Sequence, residues 1–216
     1  MATVARKPSA GGRRAEAERN DVTVLAAARD VFIEHGWDAP VSAVAARAGV
    51  GMGSIYRRYP SKTDLLREMC LGAMRRATEE ARAARAEEPD GWSALRRFMR
   101  CMVEARSCSL FVLIGNSAAG GEIAEAVAGL RAEMEALVDA AHRQGALREG
   151  VTSADVYLLL TQLRSAPSID AARAGELQLR FLDVILDGLA APGTTALSGA
   201  AAAWPELVFR DAPELS

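Results

Sequence analysis

The chain has 216 residues, of which half are hydrophobic, a quarter charged and few aromatic, with a formal net charge of −2. That length and apolar content are enough for one or two domains with a sizeable core, and the abundance of alanine favours helices. No apolar run reaches the roughly 18 residues needed to cross a membrane, and three cysteines without C-x-x-C spacing plus two distant histidines give no metal site.

The charge is unevenly spread. Residues 1–67 hold 11 Lys and Arg against 7 Asp and Glu, whereas residues 68–216 hold 15 against 21. A basic head on an acidic body fits a protein that meets phosphates at one end. Residues 1–17 are polar, contain Pro8, Gly11 and Gly12, and carry Arg6, Lys7, Arg13 and Arg14. They are expected to form a disordered basic arm, either without a role or adding phosphate or minor-groove contacts. A first helix is predicted from about Glu18 to His35, with Leu25, Ala28 and Phe32 as its apolar stripe and Val24 and Val31 alongside. Gly36 ends it, and Trp37 can fold back on the last turn.

Residues 41–60 carry the most specific pattern. Ala45, Gly49 and Ile55 have the spacing of two short helices joined by a tight turn. The first must be small because the helices nearly touch there, the second supplies a positive φ, and the third anchors the second helix. Val44, Ala48 and Val50 supply further inward contacts. The second helix should begin near Gly51 or Met52 and stop by Tyr59, because Pro60 disfavours helical geometry in the residue before it. Ile55 and Tyr59 then share the inner face, leaving Ser54, Tyr56, Arg57 and Arg58 outward, a shape suited to the major groove of DNA. Neither Pro40 nor Val41 can cap the preceding helix by its side chain. Ser61 to Asp64 read as a capping box that starts a long helix running to about Ala86, with Leu65, Leu66, Met69, Ala73 and Met74 inward.

On the Ala48-Gly49-Val50 turn, the G-x-x-Y of Gly53 and Tyr56, and the K-x-x-L-L of Lys62, Leu65 and Leu66, all in register, the chain resembles the tetracycline-repressor (TetR) family of bacterial regulators. The motifs cover about the first third of the chain. The resemblance implies an all-α protein, with an N-terminal three-helix helix-turn-helix DNA-binding domain over 18–67 and a helical ligand-binding and dimerisation domain over 68–190. An irregular tail follows over 191–216. Register with the family, together with side-chain chemistry, puts the Tyr56 hydroxyl on a phosphate and sets Ser54 and the backbone of Met52 and Gly53 at the helix end that meets DNA. Arg57 is expected on bases, and Arg58 and Lys62 on phosphate. Gly51, Met52 and Gly53 offer few hydrogen bonds, so DNA shape and a Met52 contact with a thymine methyl would contribute to specificity. Ser42 faces either a phosphate, a base edge or water, since this chain lacks the Ser or Thr that many relatives place at Pro40 and Val41.

Beyond a break at residues 87–91, helices are predicted at about 92–106, 110–116, 122–144, 153–164 and 175–189. In the family the last two long helices pair with a second subunit. Here Tyr157, Leu160, Phe181, Val184 and Ile185 form a stripe at helical spacing wide enough for core and partner, though core alone accounts for it equally well. The family also binds small molecules among these helices. Trp92, Phe98, Met102, Phe111, Met134 and Val138 are pocket candidates, and Arg106 and Gln162 could orient a ligand, although a Met and aromatic stripe is more often packing. Cys70, Cys101 and Cys108 read as buried thiols of a reducing cytoplasm, a redox role for Cys101 and Cys108 being the weaker reading.

The expected function is a cytoplasmic homodimeric regulator, a repressor released from a palindromic double-stranded DNA operator by a small-molecule effector of unknown identity. The alternative is a helical protein–protein interaction module without specific DNA binding. No catalytic residues, metal, cofactor or membrane partner are expected. The run from Gly49 to Gly53 lacks the spacing and the lysine of a phosphate-cradling loop, and no nucleophile motif accompanies the two histidines.

Overall fold

The structure, a computed structural model, describes residues 10–107, 121–163, 170–193 and 195–207, with residues 10–20 and 171 described by backbone alone. Among these residues there are eight α-helices and no strand: α1 (Ala10–His35), α2 (Val41–Ala48), α3 (Met52–Arg58), α4 (Lys62–Glu87), α5 (Gly91–Glu104), α6 (Glu122–Arg143), α7 (Ser153–Gln162) and α8 (Ala171–Leu189). A 3-10 turn follows at Trp204–Leu207. The helix expected at 110–116 lies outside the described residues. None of the described helices is long and apolar enough to cross a membrane. The chain divides into two compact units, residues 1–69 and 70–216.

The first unit buries one face of each of its helices. Val24, Ala27, Ala28, Val31 and Phe32 of α1 are buried, as are Val41, Val44 and Ala45 of α2, Ile55 of α3, and Leu65, Leu66 and Met69 at the start of α4, with α2 packed on both α1 and α3. Leu25, expected in the inward stripe, is half-exposed. Trp37 stacks on Phe32 with ring centroids 5.9 Å apart, just past Gly36. The first helix starts at Ala10 rather than near Glu18, so residues 10–17 are helical where a disordered arm was expected. Alanine, glutamate and arginine dominate residues 13–19 and are strong helix formers, enough to outweigh Gly11 and Gly12.

In the second unit α5 packs against α6 and α8. Asp90 caps α5 by accepting from the Ser93 N–H at 2.8 Å, and Ala94, Leu95, Phe98, Met99, Met102 and Val103 form its buried face. α6 answers with Leu130, Met134, Leu137, Val138 and Ala141. Gly91 lets the two helices approach: a Cβ there would lie 2.5–2.7 Å from backbone atoms of Ala140 and Ala141. α7 opens with a capping box between Thr152 and Asp155. α8 begins four residues before the expected Gly175, because Asp170 accepts from the N–H groups of Ala172 and Arg173, a local cap that apolar periodicity does not register. Gln178 of α8 is buried and donates to the Leu163 carbonyl at 2.6 Å, closing the end of α7.

The segment after α8 is irregular but fastened. Arg148 N–H donates to Leu189 O at 2.8 Å and Ala191 N–H to Ala146 O at 2.9 Å, pairing it with the turn between α6 and α7. Further on, Trp204 Nε1 donates to the Ser153 hydroxyl at 3.0 Å, its ring lies 5.1 Å from that of Tyr157, and the Arg131 guanidinium sits 5.4 Å above it. Thr152 donates to Ala202 O, and Ala202 N–H to Asp155.

Gly91→Ala should lower the urea midpoint of the body by the equivalent of about 1–3 kcal/mol, the cost of forcing atoms into a packed contact. Gly129→Ala in α6, whose Cβ would meet nothing within 4 Å, should raise the midpoint by about 0.5–1 kcal/mol through helix propensity. Chemical unfolding followed by circular dichroism checks both.

Candidate nucleic-acid interface

The α2–α3 turn is built around Gly49. Its φ of 66° and ψ of 28° are left-handed, which lets Val50 N–H reach back to Ala45 O at 3.1 Å and Gly49 N–H to Ala46 O at 3.3 Å. These two bonds satisfy the last carbonyls of α2 and reverse the chain within three residues. Gly51 then takes an extended conformation and begins α3 with no side-chain cap. Ile55 and Tyr59 are buried. Tyr59, with φ −121° and ψ 95°, has left the helix just before Pro60, as proline requires of its predecessor. A fork of two bonds fixes α2 to α1: Arg47 Nη1 and Nη2 donate to the two carboxylate oxygens of Glu34 at 2.9 and 2.6 Å. That partnership raises the Arg47 pKa and keeps its charge inside the domain.

What is left outward is a compact polar face. Ser42, Gly51, Gly53, Ser54, Tyr56, Arg57 and Arg58 are exposed, while Met52 and Lys62 are half-buried. Arg57 Nη2 rests on the Ser54 hydroxyl at 3.3 Å. Lys62 Nζ lies 5.6 Å from the centroid of the Phe32 ring at the start of α4. At that helix end Asp64 N–H donates to Ser61 Oγ at 3.1 Å and Ser61 N–H to Asp64 Oδ2 at 3.0 Å, so two of the amides expected to favour phosphate already have partners. Arg58, expected on phosphate, points to its own domain: its Nη2 lies 2.8 Å from Asp21 Oδ2 on α1. Burial pushes the pKa of the adjacent Tyr59 hydroxyl up, the Asp21 charge adds to this, and the Arg58 guanidinium opposes it. No linear sequence pattern couples Asp21 to Arg58, 37 residues away.

The expected dimer stripe divides in two. Tyr157 and Leu160 are 2% and 0% exposed and belong to the protomer's own core, whereas Phe181 and Val184 are 55% and 67% exposed and Ile185 is half-buried. Leu182, Leu186 and Leu189 take the inward face of α8 instead. The pocket candidates also separate. Phe98, Met102, Met134 and Val138 are buried in the α5–α6 core, Trp92 and Arg106 are half-buried, Gln162 is exposed on α7, and Phe111 lies outside the described residues. Arg106 ends α5 with a φ of 52°. A cleft of about 290 Å³ opens elsewhere, between α4 and the first turns of α6, lined by Arg75, Thr78, Glu79, Arg82, Glu122, Glu125, Ala126 and Gly129. None of these residues was among the pocket candidates, because mixed charges at helical spacing carry no pocket signal in sequence.

Both described thiols have raised pKa values. Burial pushes Cys70 up to about 12. Burial, reinforced by a hydrogen bond to Glu80 at 3.3 Å, pushes Cys101 up to about 11. Cys108 lies outside the described residues.

Comparison with known proteins completes the picture. Residues 24–69 match the model for bacterial regulatory proteins of the tetR family. Residues 90–191 match the C-terminal domain of SbtR-like transcriptional regulators. A TetR transcription regulatory protein from Mycobacterium vanbaalenii is similar at 32% identity and a TM-score of 0.55, covering 82% of this chain and 98% of that one. The regulator LfrR of Mycobacterium smegmatis, solved in complex with proflavine, is similar at 27% identity and a TM-score of 0.62, over 83% of this chain and 98% of its own. A TetR transcriptional regulator of Streptomyces coelicolor shares 27% identity at a TM-score of 0.57, over 81% and 99%. No match was found among curated proteins.

A thiol whose pKa is raised stays protonated at neutral pH and ionises only as pH climbs toward the raised value. Alkylation of Cys101 in the folded protein at pH 8 should therefore be at least about tenfold slower than in the urea-unfolded chain, and should accelerate steeply up to pH near 11. Mass-spectrometric counting of iodoacetamide adducts over pH 7–10.5 measures this, and rapid labelling of Cys101 at pH 7 would contradict it.

Proposed function

Because the chain belongs to the TetR family of bacterial regulatory proteins, we propose that this DNA-binding transcriptional regulator is a homodimeric repressor. It holds a palindromic operator through α3 and leaves when a small molecule occupies the body. The observation that carries the reading is the division of α3. Ile55 is buried as its anchor, Met52 is half-buried, and the rest of the helix with its N-cap Gly51 is an exposed set of two glycines, a serine, a tyrosine and two arginines. Glycine at 51 and 53 allows the backbone to come close to the duplex, Tyr56 supplies a hydroxyl to phosphate, and Arg57, resting among the described residues on a neutral hydroxyl, is available to base edges. Lys62 adds a charge beside the start of α4.

A seven-residue reader makes a small interface, so two are needed. The exposed Phe181 and Val184 of α8, with Ile185 beside them, give a partner an apolar surface. A two-fold pair would present two α3 helices to half-sites about 34 Å apart or a multiple of that. Support for a small-molecule effector comes from the likeness to LfrR, which was solved with proflavine. In this chain the apolar body around Phe98, Met102, Met134 and Val138 and the cleft beside α6 are the regions to which an effector would be mapped.

Selection from random duplexes should enrich a palindrome whose affinity falls steeply with salt, because phosphate contacts release counterions. Tyr56→Phe should weaken binding about tenfold or more, as expected for loss of a hydrogen bond to a charged group. Lys62→Ala should lower the salt slope by about one per half-site. Phe181→Asp should give a monomer in sedimentation and erase the preference for the palindrome. Absence of any enriched sequence would overturn the regulator mechanism.

A further inference from the structure

Two neighbouring guanidiniums at the end of α3 are treated differently. Arg57 touches a neutral hydroxyl, whereas Arg58 is 2.8 Å from the carboxylate of Asp21 while its side chain remains 65% exposed. Asp21 stands on α1 with its side chain only 24% exposed, and the buried Tyr59 ring lies close enough to sense both charges. A carboxylate, like a phosphate, can present two anionic oxygens to a guanidinium, so the two groups compete for the same donors.

We propose that Asp21 is an internal competitor for DNA phosphate, which occupies Arg58 in the free protein and so restrains binding to duplex of arbitrary sequence. The proposal rests on the reading of α3 as the groove helix. Binding without sequence preference is almost wholly electrostatic, so each guanidinium removed from it costs one phosphate contact and one released counterion. A specific site draws on base contacts as well and loses proportionally less. Surface ion pairs of this kind are weak, so Asp21 biases Arg58 without locking it. Asp21 thus acts as a specificity-determining residue that touches no nucleic acid.

The test uses the full chain and four proteins: wild type, Asp21→Asn, Arg58→Gln and the double variant. Each is titrated by fluorescence anisotropy onto a labelled random-sequence duplex at several salt concentrations, with Asp38→Asn as a control for removing one negative charge. Asp21→Asn should tighten binding about twofold to fivefold near 0.1 M salt and steepen the salt slope by up to about one per bound subunit. The gain should vanish in the Arg58→Gln background, and Asp38→Asn should show little of it. Equal tightening with and without Arg58 would mean that Asp21 acts only as bulk charge, and weaker binding by Asp21→Asn would mean that the pair is a structural brace; either result overturns the proposal. Wild-type protein that binds no duplex, with Asp21→Asn equally silent, would overturn the groove-helix reading and this inference with it.

Discussion

A helix of seven residues has too few internal hydrogen bonds to persist in water, so α3 exists because of what its inner face is pressed against. Two residues carry that load. Ile55 is buried on the inner face of α3, and Tyr59 is buried just after the helix has ended. Everything upstream serves to deliver them: the left-handed turn at Gly49 sets the direction, and the Glu34–Arg47 fork keeps α2 against α1. The residues that hold α3 and those that face outward are therefore separate but interleaved, one set every third or fourth position. The outward set can change with little effect on the fold, whereas a polar replacement at Ile55 would remove both fold and function.

Electrostatics follow a similar economy. The chain is rich in arginine, yet many of these side chains work as internal ties. Arg97 reaches Glu80, Glu87 and Glu88, and Arg82 and Arg85 converge on Glu133, whose carboxyl they hold below its usual range. Such pairs join α4 to its neighbours within the body and cancel charge locally. The cations near α3 that are not spent in this way, Arg57 and Lys62, rest on a hydroxyl and an aromatic ring. A modest net charge is consequently compatible with a locally cationic face.

The reader unit was legible in the sequence because its geometry is set over short distances. A glycine that must be left-handed, a proline that stops a helix, and a serine three residues before an aspartate each determine structure within one turn, and Gly49, Pro60 and the Ser61–Asp64 pair appear where their chemistry places them. The body was legible only as a succession of helices. Periodicity sorts α8 into faces but does not say which apolar face meets the interior, and so Tyr157 and Leu160 were grouped with Phe181 and Val184 although the first two are core. The start of α8 was missed because Asp170 caps it through its own side chain, with no apolar signal. The Asp21–Arg58 pair was invisible for a different reason: it depends on how three helices are arranged.

The fastening of the segment around Trp204 onto α7 has a consequence for synthesis. Ser153, Asp155 and Tyr157 are covered by residues that follow some fifty positions later in the chain. On the ribosome, the reader unit can close while the body is still being made, since residues 1–69 form a compact unit of their own. α7 cannot. It emerges with one flank of its first turn bare, and it stays so through the making of α8, until the residues around Trp204 arrive. The newborn protein is thus able to hold its DNA-facing fold before its second unit is complete.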